Sequence, residues 1–163
     1  MKSRALIIIA VMSLTLAACG FSPVYKSTSG VQQGLEKIYI STIPNRDGQF
    51  LRNKLLDSFY QSYDEKNAAY VLKITDLTTK KTDLDITKSA DATRAQLRVR
   101  ARLLLIDKQS KEVLISRQIT SITSYNILGS QFTTRVSEQT ARENALIDLS
   151  EQIQRNVTLY FKR

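Results

Sequence analysis

From residue 36 onward the chain switches between two hydrophobic rhythms, and the switches mark its elements. Residues 36–43 alternate with a period of two, Ile38 and Ile40 on one side and Lys37, Tyr39 and Ser41 on the other, which predicts a first strand. Pro44, Asn45, Arg46, Asp47 and Gly48 then punctuate the chain. Over 48–62 the spacing predicts a helix, because Leu51, Leu55 and Phe59 recur every fourth residue with Leu56 beside them. Alternation resumes over 69–74, where Tyr70, Leu72 and Ile74 share a face. The same parity returns at Leu84 and Ile86 beyond a polar middle over 78–83. That pattern fits one long strand with a solvated centre or two short strands flanking a loop.

The cleanest alternation lies over 94–107. Ala95, Leu97, Val99, Ala101, Leu103 and Leu105 point one way, and Arg94, Gln96, Arg98, Arg100 and Arg102 point the other. Residues 107–111 suit a turn, and 112–127 returns as a partner strand with Val113, Ile115 and Ile119 in phase. Ile122 breaks that phase, which predicts a β-bulge there. The last element is a helix over 135–161, with Leu149, Ile153 and Val157 repeating every four, Leu146 and Tyr160 beside them, and Ala141 and Ala145 upstream. Small side chains at those two positions let a helix approach a sheet closely. A strand with one apolar face needs cover on that face only. The order strand, helix, strands, helix therefore predicts an α+β fold: a two-layer sandwich with two helices on one face of a mainly antiparallel, about four-stranded sheet.

The first thirty-four residues follow another logic. Lys2 and Arg4 precede an apolar run over 5–16, and Leu16, Ala17 and Ala18 lead into Cys19, the one cysteine of the chain. That is the layout of a secretory signal peptide whose apolar segment is short for a bilayer span. Leu-Ala-Ala-Cys also matches the bacterial lipobox, so residues 1–18 are expected to be removed and Cys19 to carry acyl chains, palmitate among them. One chain gives marginal, reversible attachment, whereas several give a stable anchor. Residues 19–34 read as the lipidated N-terminus and a polar tether in which Phe21, Pro23, Val24 and Tyr25 stand out, and 35–163 as the folded domain.

Composition narrows the chemistry. The 163 residues include no histidine, which removes the commonest general base and zinc ligand and every Ser-His-Asp arrangement. No phosphate-cradling glycine loop or metal motif occurs, so the expectation is no enzyme, no cofactor and no metal. The net charge is +9, and loss of Lys2 and Arg4 with residues 1–18 leaves 22 basic against 15 acidic residues, or +7. A basic surface attracts polyanions. Outside the inner membrane those are phosphorylated lipids such as lipopolysaccharide, not nucleic acid.

Two stretches carry a family resemblance. Cys19-Gly20-Phe21-Ser22-Pro23-Val24-Tyr25 is similar to the Cys-Gly-Phe-x-Pro-x-Tyr opening of alphaproteobacterial lipoproteins in the lipopolysaccharide-assembly family LptE (RlpB). The segment from Ile43 through Pro44, Asn45, Arg46, Asp47, Gly48 and Gln49 to Leu51, Arg52 and Asn53 resembles the same group, and the element order fits it over the whole mature chain. The resemblance implies an outer-membrane lipoprotein facing the periplasm, without enzyme activity. It would pair one to one with the β-barrel translocon LptD as a plug in its lumen and help insert lipopolysaccharide into the outer leaflet. Gly20 is compatible with outer-membrane sorting. The competing class is an accessory lipoprotein of an exporter, a secretion system or a cell-wall synthase, which shares the lipobox and needs no lipopolysaccharide.

The candidate binding residues are Arg94, Arg98, Arg100 and Arg102, a ribbon of guanidinium groups that suits lipid A phosphates or acidic groups inside a barrel. The plainer reading is a solvated, aggregation-resistant sheet face with acidic cross-strand partners. Segments 78–91 and 124–134 are candidate barrel-facing loops, with Asp83 and Gly129 as probes. Asn45 or Asp47 is expected to cap the first helix, and Phe50 and Phe132 to serve as core or edge packing.

Overall fold

The computed structural model describes residues 29–59, 65–86 and 92–162 of the chain. In order it contains α1 (Ser29–Glu36), β1 (Ile38–Ile40), α2 (Asn45–Phe59), β2 (Tyr70–Ile86), β3 (Ala92–Asp107), β4 (Val113–Asn126) and α3 (Gln131–Phe161). The strands form one sheet in sequence order; β1 runs parallel to β2, and the other pairs are antiparallel. The architecture is α+β, with α2 and α3 covering one face as the pattern predicts. The addition is α1, which occupies 29–34, the last part of the stretch expected to be tether. Gly34 makes that docking feasible: a Cβ there would lie 2.7 Å from the Phe161 ring at the end of α3.

Burial follows the two periods. Ile38, Ile40, Leu72 and Ile74 face inward with Val99, Ala101, Leu103 and Leu105, against Leu51, Leu55 and Phe59 of α2 and Leu149, Ile153 and Val157 of α3. Burying such side chains stabilises by roughly 1.5–3 kcal/mol each. A smaller cluster of Ala95, Leu97, Tyr125 and Ala141 continues the core toward the start of α3, where the two alanines bring helix and sheet close.

Of the two alternatives for residues 69–86 the single long strand is the one observed, and the face of Leu84 and the bulge at Ile122 are corrected. Residues 70–86 form one strand, with a register shift between Thr75 and Thr78, where Asp76 takes φ 54°. Leu72 pairs with Leu105 before the shift and Thr79 with Val99 after it, so the inward parity changes from even to odd. Leu84, opposite Arg94, therefore lies on the outer face instead of sharing the face of Leu72. The expected bulge at Ile122 is absent. Register runs unbroken from Arg94↔Asn126 to Leu105↔Ile115, and Ile122 is simply an outward residue opposite Arg98.

The helix starts also differ. Asp47 is held by an ion pair to Arg142, and neither it nor Asn45 makes a capping bond in the described residues. Asn45 instead takes φ 69°, a left-handed conformation that Asn tolerates better than most residues. Gly48 is needed for space, since a Cβ would sit 2.7 Å from Ile43 Cγ2 and 2.9 Å from its carbonyl. Phe50 packs at the core edge, whereas Phe132 is 77 % exposed and packs on nothing central.

Candidate functional site: the arginine face

β3 is a central strand, so its outward side chains are flanked on both sides. Arg94 lies between Leu84 and Asn126, Arg98 between Lys80 and Ile122, Arg100 between Thr78 and Thr120, and Arg102 between Thr75 and Gln118. The acidic cross-strand partners that a merely solvated face would use are missing from these positions. Of these four arginines only Arg102 has a carboxylate among the described residues within ion-pair distance, Asp76 at 3.3 Å on the β2 bulge. Arg98 instead faces Lys80, a like-charge pair that costs stability on a strand surface. Alternate residues on a strand are about 7 Å apart and neighbouring strands about 4.8 Å, so Arg98, Arg100 and Lys80 occupy adjacent outward positions within side-chain reach of one phosphate group. Ile122, half exposed beside Arg98, adds an apolar contact. Cations with an apolar neighbour suit an anionic amphiphile better than a free inorganic ion.

A second basic region lies on the helical layer and was not singled out by pattern. Arg46, Asp47, Arg135, Glu138, Gln139 and Arg142 line an open cleft of about 460 Å³ between the start of α2 and α3. Arg142 is committed, donating to Asp47 at 3.2 Å and to Glu138 at 3.1 Å. Burial opposes its charge, and the two carboxylates outweigh that and raise its pKa. Glu138 also accepts from the Tyr125 hydroxyl at 2.9 Å and faces Lys81 at 3.9 Å. Burial is the main cause of the raised Tyr125 pKa, while the hydrogen bond with Tyr125 leads the raising of Lys81. Arg46 and Arg135 have no ion-pair partner among the described residues. The spacing of Arg135, Glu138 and Arg142 on one helix was the available signal, and it carries no hint of Asp47.

Of the expected loops, 78–86 is strand and 87–91 lies outside the described residues. Asp83 sits opposite Ala95 on the helix-facing side, 3.9 Å from Lys81. The second segment is a true connection only over 127–130, where Gly129 has open space around it. That connection and the first turns of α3 carry exposed Leu128, Phe132 and Val136, an apolar tip. Cys19 lies outside the described residues. Within them no helix is long and apolar enough to cross a membrane, and no group of potential ligands could hold a metal.

The lipopolysaccharide-assembly family LptE matches residues 35–157, which span every element from β1 to β4 and most of α3. The chain belongs to the LptE family. An uncharacterized protein of Rickettsia prowazekii (strain Madrid E) is 25 % identical over 153 residues, covering 94 % of this chain and 95 % of its own. A putative lipoprotein from Caulobacter crescentus CB15 has the same fold, with TM-score 0.66 and 21 % identity over 82 % of this chain and 96 % of that one. Lipoprotein B from Nitrosomonas europaea is similar at TM-score 0.62 and 19 % identity, covering 78 % of this chain and 84 % of its own. These two structures speak for the fold, and the family match carries the tie to lipopolysaccharide assembly.

Proposed function

We propose that this LptE-family chain is an outer-membrane lipoprotein, anchored through acylated Cys19 on the periplasmic face. In this reading it binds lipopolysaccharide on the arginine face and pairs one to one with an LptD-type β-barrel as a plug. It performs no catalysis. One observation carries the reading beyond family membership: β3 presents Arg94, Arg98 and Arg100 without an acidic partner among the described residues, beside Lys80 and Ile122. Self-repulsion there is relieved when phosphates occupy the face, and each bidentate guanidinium contact is charge-assisted. Gly129 and the apolar tip, at the α3 start, are the surface assigned to the barrel wall.

The test is affinity purification of the tagged, lipidated protein from gently solubilised outer membranes. A stoichiometric barrel protein recovered with lipopolysaccharide is the expected result. Replacing Arg98 and Arg100 with Gln should reduce the co-purified lipopolysaccharide at least several-fold while the barrel is retained. Recovery of an exporter, secretin or synthase without a barrel would overturn the reading.

A further inference from the structure

The end of the domain opposite the apolar tip carries a groove that no described residue fills. Leu114, Ile115, Arg117, Asn156, Leu159 and Tyr160 line about 280 Å³ between the start of β4 and the last turns of α3. On its α3 side Leu159 is 49 % exposed, an apolar side chain left uncovered at the groove edge. Arg117 spans from β4 to α3, its guanidinium donating to Asn156 Oδ1 at 2.8 Å, so this pair and Ser116 give the groove a polar side opposite Leu114, Ile115, Leu159 and Tyr160.

The chain enters the domain beside this groove. α1 rests on Phe161 through Gly34, and Phe161 meets the Tyr160 ring edge-on at 5.3 Å, so one pair of rings links α1 to the groove wall. α1 is eight residues, about 12 Å long. Seven residues lie between Phe21 and Ser29, and the eight steps span up to about 27 Å. Within that span Phe21, Pro23, Val24 and Tyr25 interrupt an otherwise polar sequence.

We propose that the segment 21–25 docks in the β4–α3 groove, with Val24 and Tyr25 against Leu159 and Tyr160 and the Tyr25 hydroxyl toward the polar side. Tethering favours this occupant over any free partner, since a short linker holds the segment at an effective concentration on the order of millimolar. The consequence is orientation. Cys19 precedes Phe21 by two residues, so a docked segment holds the acylated residue within about 10 Å of the groove instead of on a long free tether. The domain is then fixed with its α1 end toward the lipid, and the tip at Phe132 and the cleft at Arg135 point away, a helix length of about 45 Å along α3. The orientation rests on acylation of Cys19, whereas docking itself does not.

The test uses the lipidated protein in detergent with Val24→Cys and Leu159→Cys, and Val24→Cys with Val136→Cys as the control. Thiol titration of the wild type is done first: no free thiol is expected, and one free thiol per chain would remove the orientation argument without touching docking. Under mild oxidation the 24–159 pair should close within a monomer at least tenfold faster than the 24–136 pair. Equal rates would overturn the proposal. Dimers linked through position 159 would also overturn it, by assigning the groove to a second copy. Limited trypsin digestion gives a covalent-free readout: cleavage after Lys26 should be about tenfold faster in Tyr25→Ala and Leu159→Gln than in the wild type. Unchanged cleavage, or protection seen in phospholipid vesicles but not in detergent, would overturn docking, the latter in favour of the bilayer.

Discussion

Arg142 of α3 holds Asp47 of α2 at 3.2 Å across 95 residues of sequence, and its other guanidinium nitrogen holds Glu138 at 3.1 Å. The contact fastens the first turn of α2 to α3, whose Ala141 belongs to the smaller buried cluster with Ala95, Leu97 and Tyr125. All three side chains are about 30 % exposed or less, so the pair stands between a weak surface bridge and a fully desolvated one.

Arg142→Met should therefore lower stability by about 1–2 kcal/mol, because Asp47 loses the cation that compensates it while Glu138 keeps Tyr125 and Lys81. Chemical denaturation of Arg142→Met, Asp47→Asn and the double variant checks this. The double variant should be clearly less destabilised than the sum of the singles. Strict additivity would mean that the two residues act independently.

Gly48→Ala tests why a helix tolerates glycine in its first turn. Alanine is the better helix former by about 1 kcal/mol. Here its Cβ would meet Ile43 Cγ2 at 2.7 Å and the Ile43 carbonyl at 2.9 Å, and backbone yields less readily than a side chain. The expected outcome is a net loss of about 1–3 kcal/mol in thermal or denaturant unfolding. A stabilised variant would show that the 43–48 turn relaxes.

The arginine face should be dispensable for folding. Arg98 and Arg100 make no ion pair among the described residues, and Arg98 opposes Lys80. The Arg98→Gln, Arg100→Gln double variant is expected to unfold within about 0.5 kcal/mol of the wild type. Added salt should raise the wild-type midpoint more than the variant midpoint, because screening relieves the like-charge contact. A large destabilisation would assign these side chains to structure.

Much of this fold was legible because its buried side chains keep strict periods. β3 has no internal bulge, so Ala95 to Leu105 and Arg94 to Arg102 separate into two faces at sight. α2 and α3 bury what their four-residue spacing says they bury. Legibility failed where one residue resets the phase. Asp76 at φ 54° flips the parity of β2, and only Leu77, packed on the core from an odd position, reports the change, too weak a signal to place Leu84 on the outer face. Ile122 misled in the opposite sense, as an apolar residue on a true outward position, because local pattern assumes that outward means polar. α1, with glycines at 30 and 34, has poor helix propensity and is held by Phe161, 127 residues away from Gly34. The Asp47–Arg142 contact is invisible for the same reason. The arginine ribbon could be seen, but its lack of acidic partners required the register of β2 and β4.

The β3–β4 turn offers a pH signature. Asp107 Oδ1 accepts from the backbone N–H of Ser110 at 2.8 Å and of Gln109 at 2.9 Å, closing the turn before Lys111 at φ 63°. The Ser110 N–H is the leading cause of a carboxyl pKa held below its ordinary value, with the Gln109 N–H assisting. A depressed folded-state pKa means that the unfolded chain binds the proton more readily. The stabilisation is then present above the unfolded-chain value of about 3.9 and is lost as the pH falls through the folded-state value. Asp107→Asn keeps an acceptor oxygen and removes the charge. It should melt below the wild type at pH 7, and the two melting temperatures should converge as the pH falls through the depressed folded-state value. A difference that persists unchanged to pH 2 would show that the carboxylate charge contributes nothing to the turn and that the side-chain geometry alone matters.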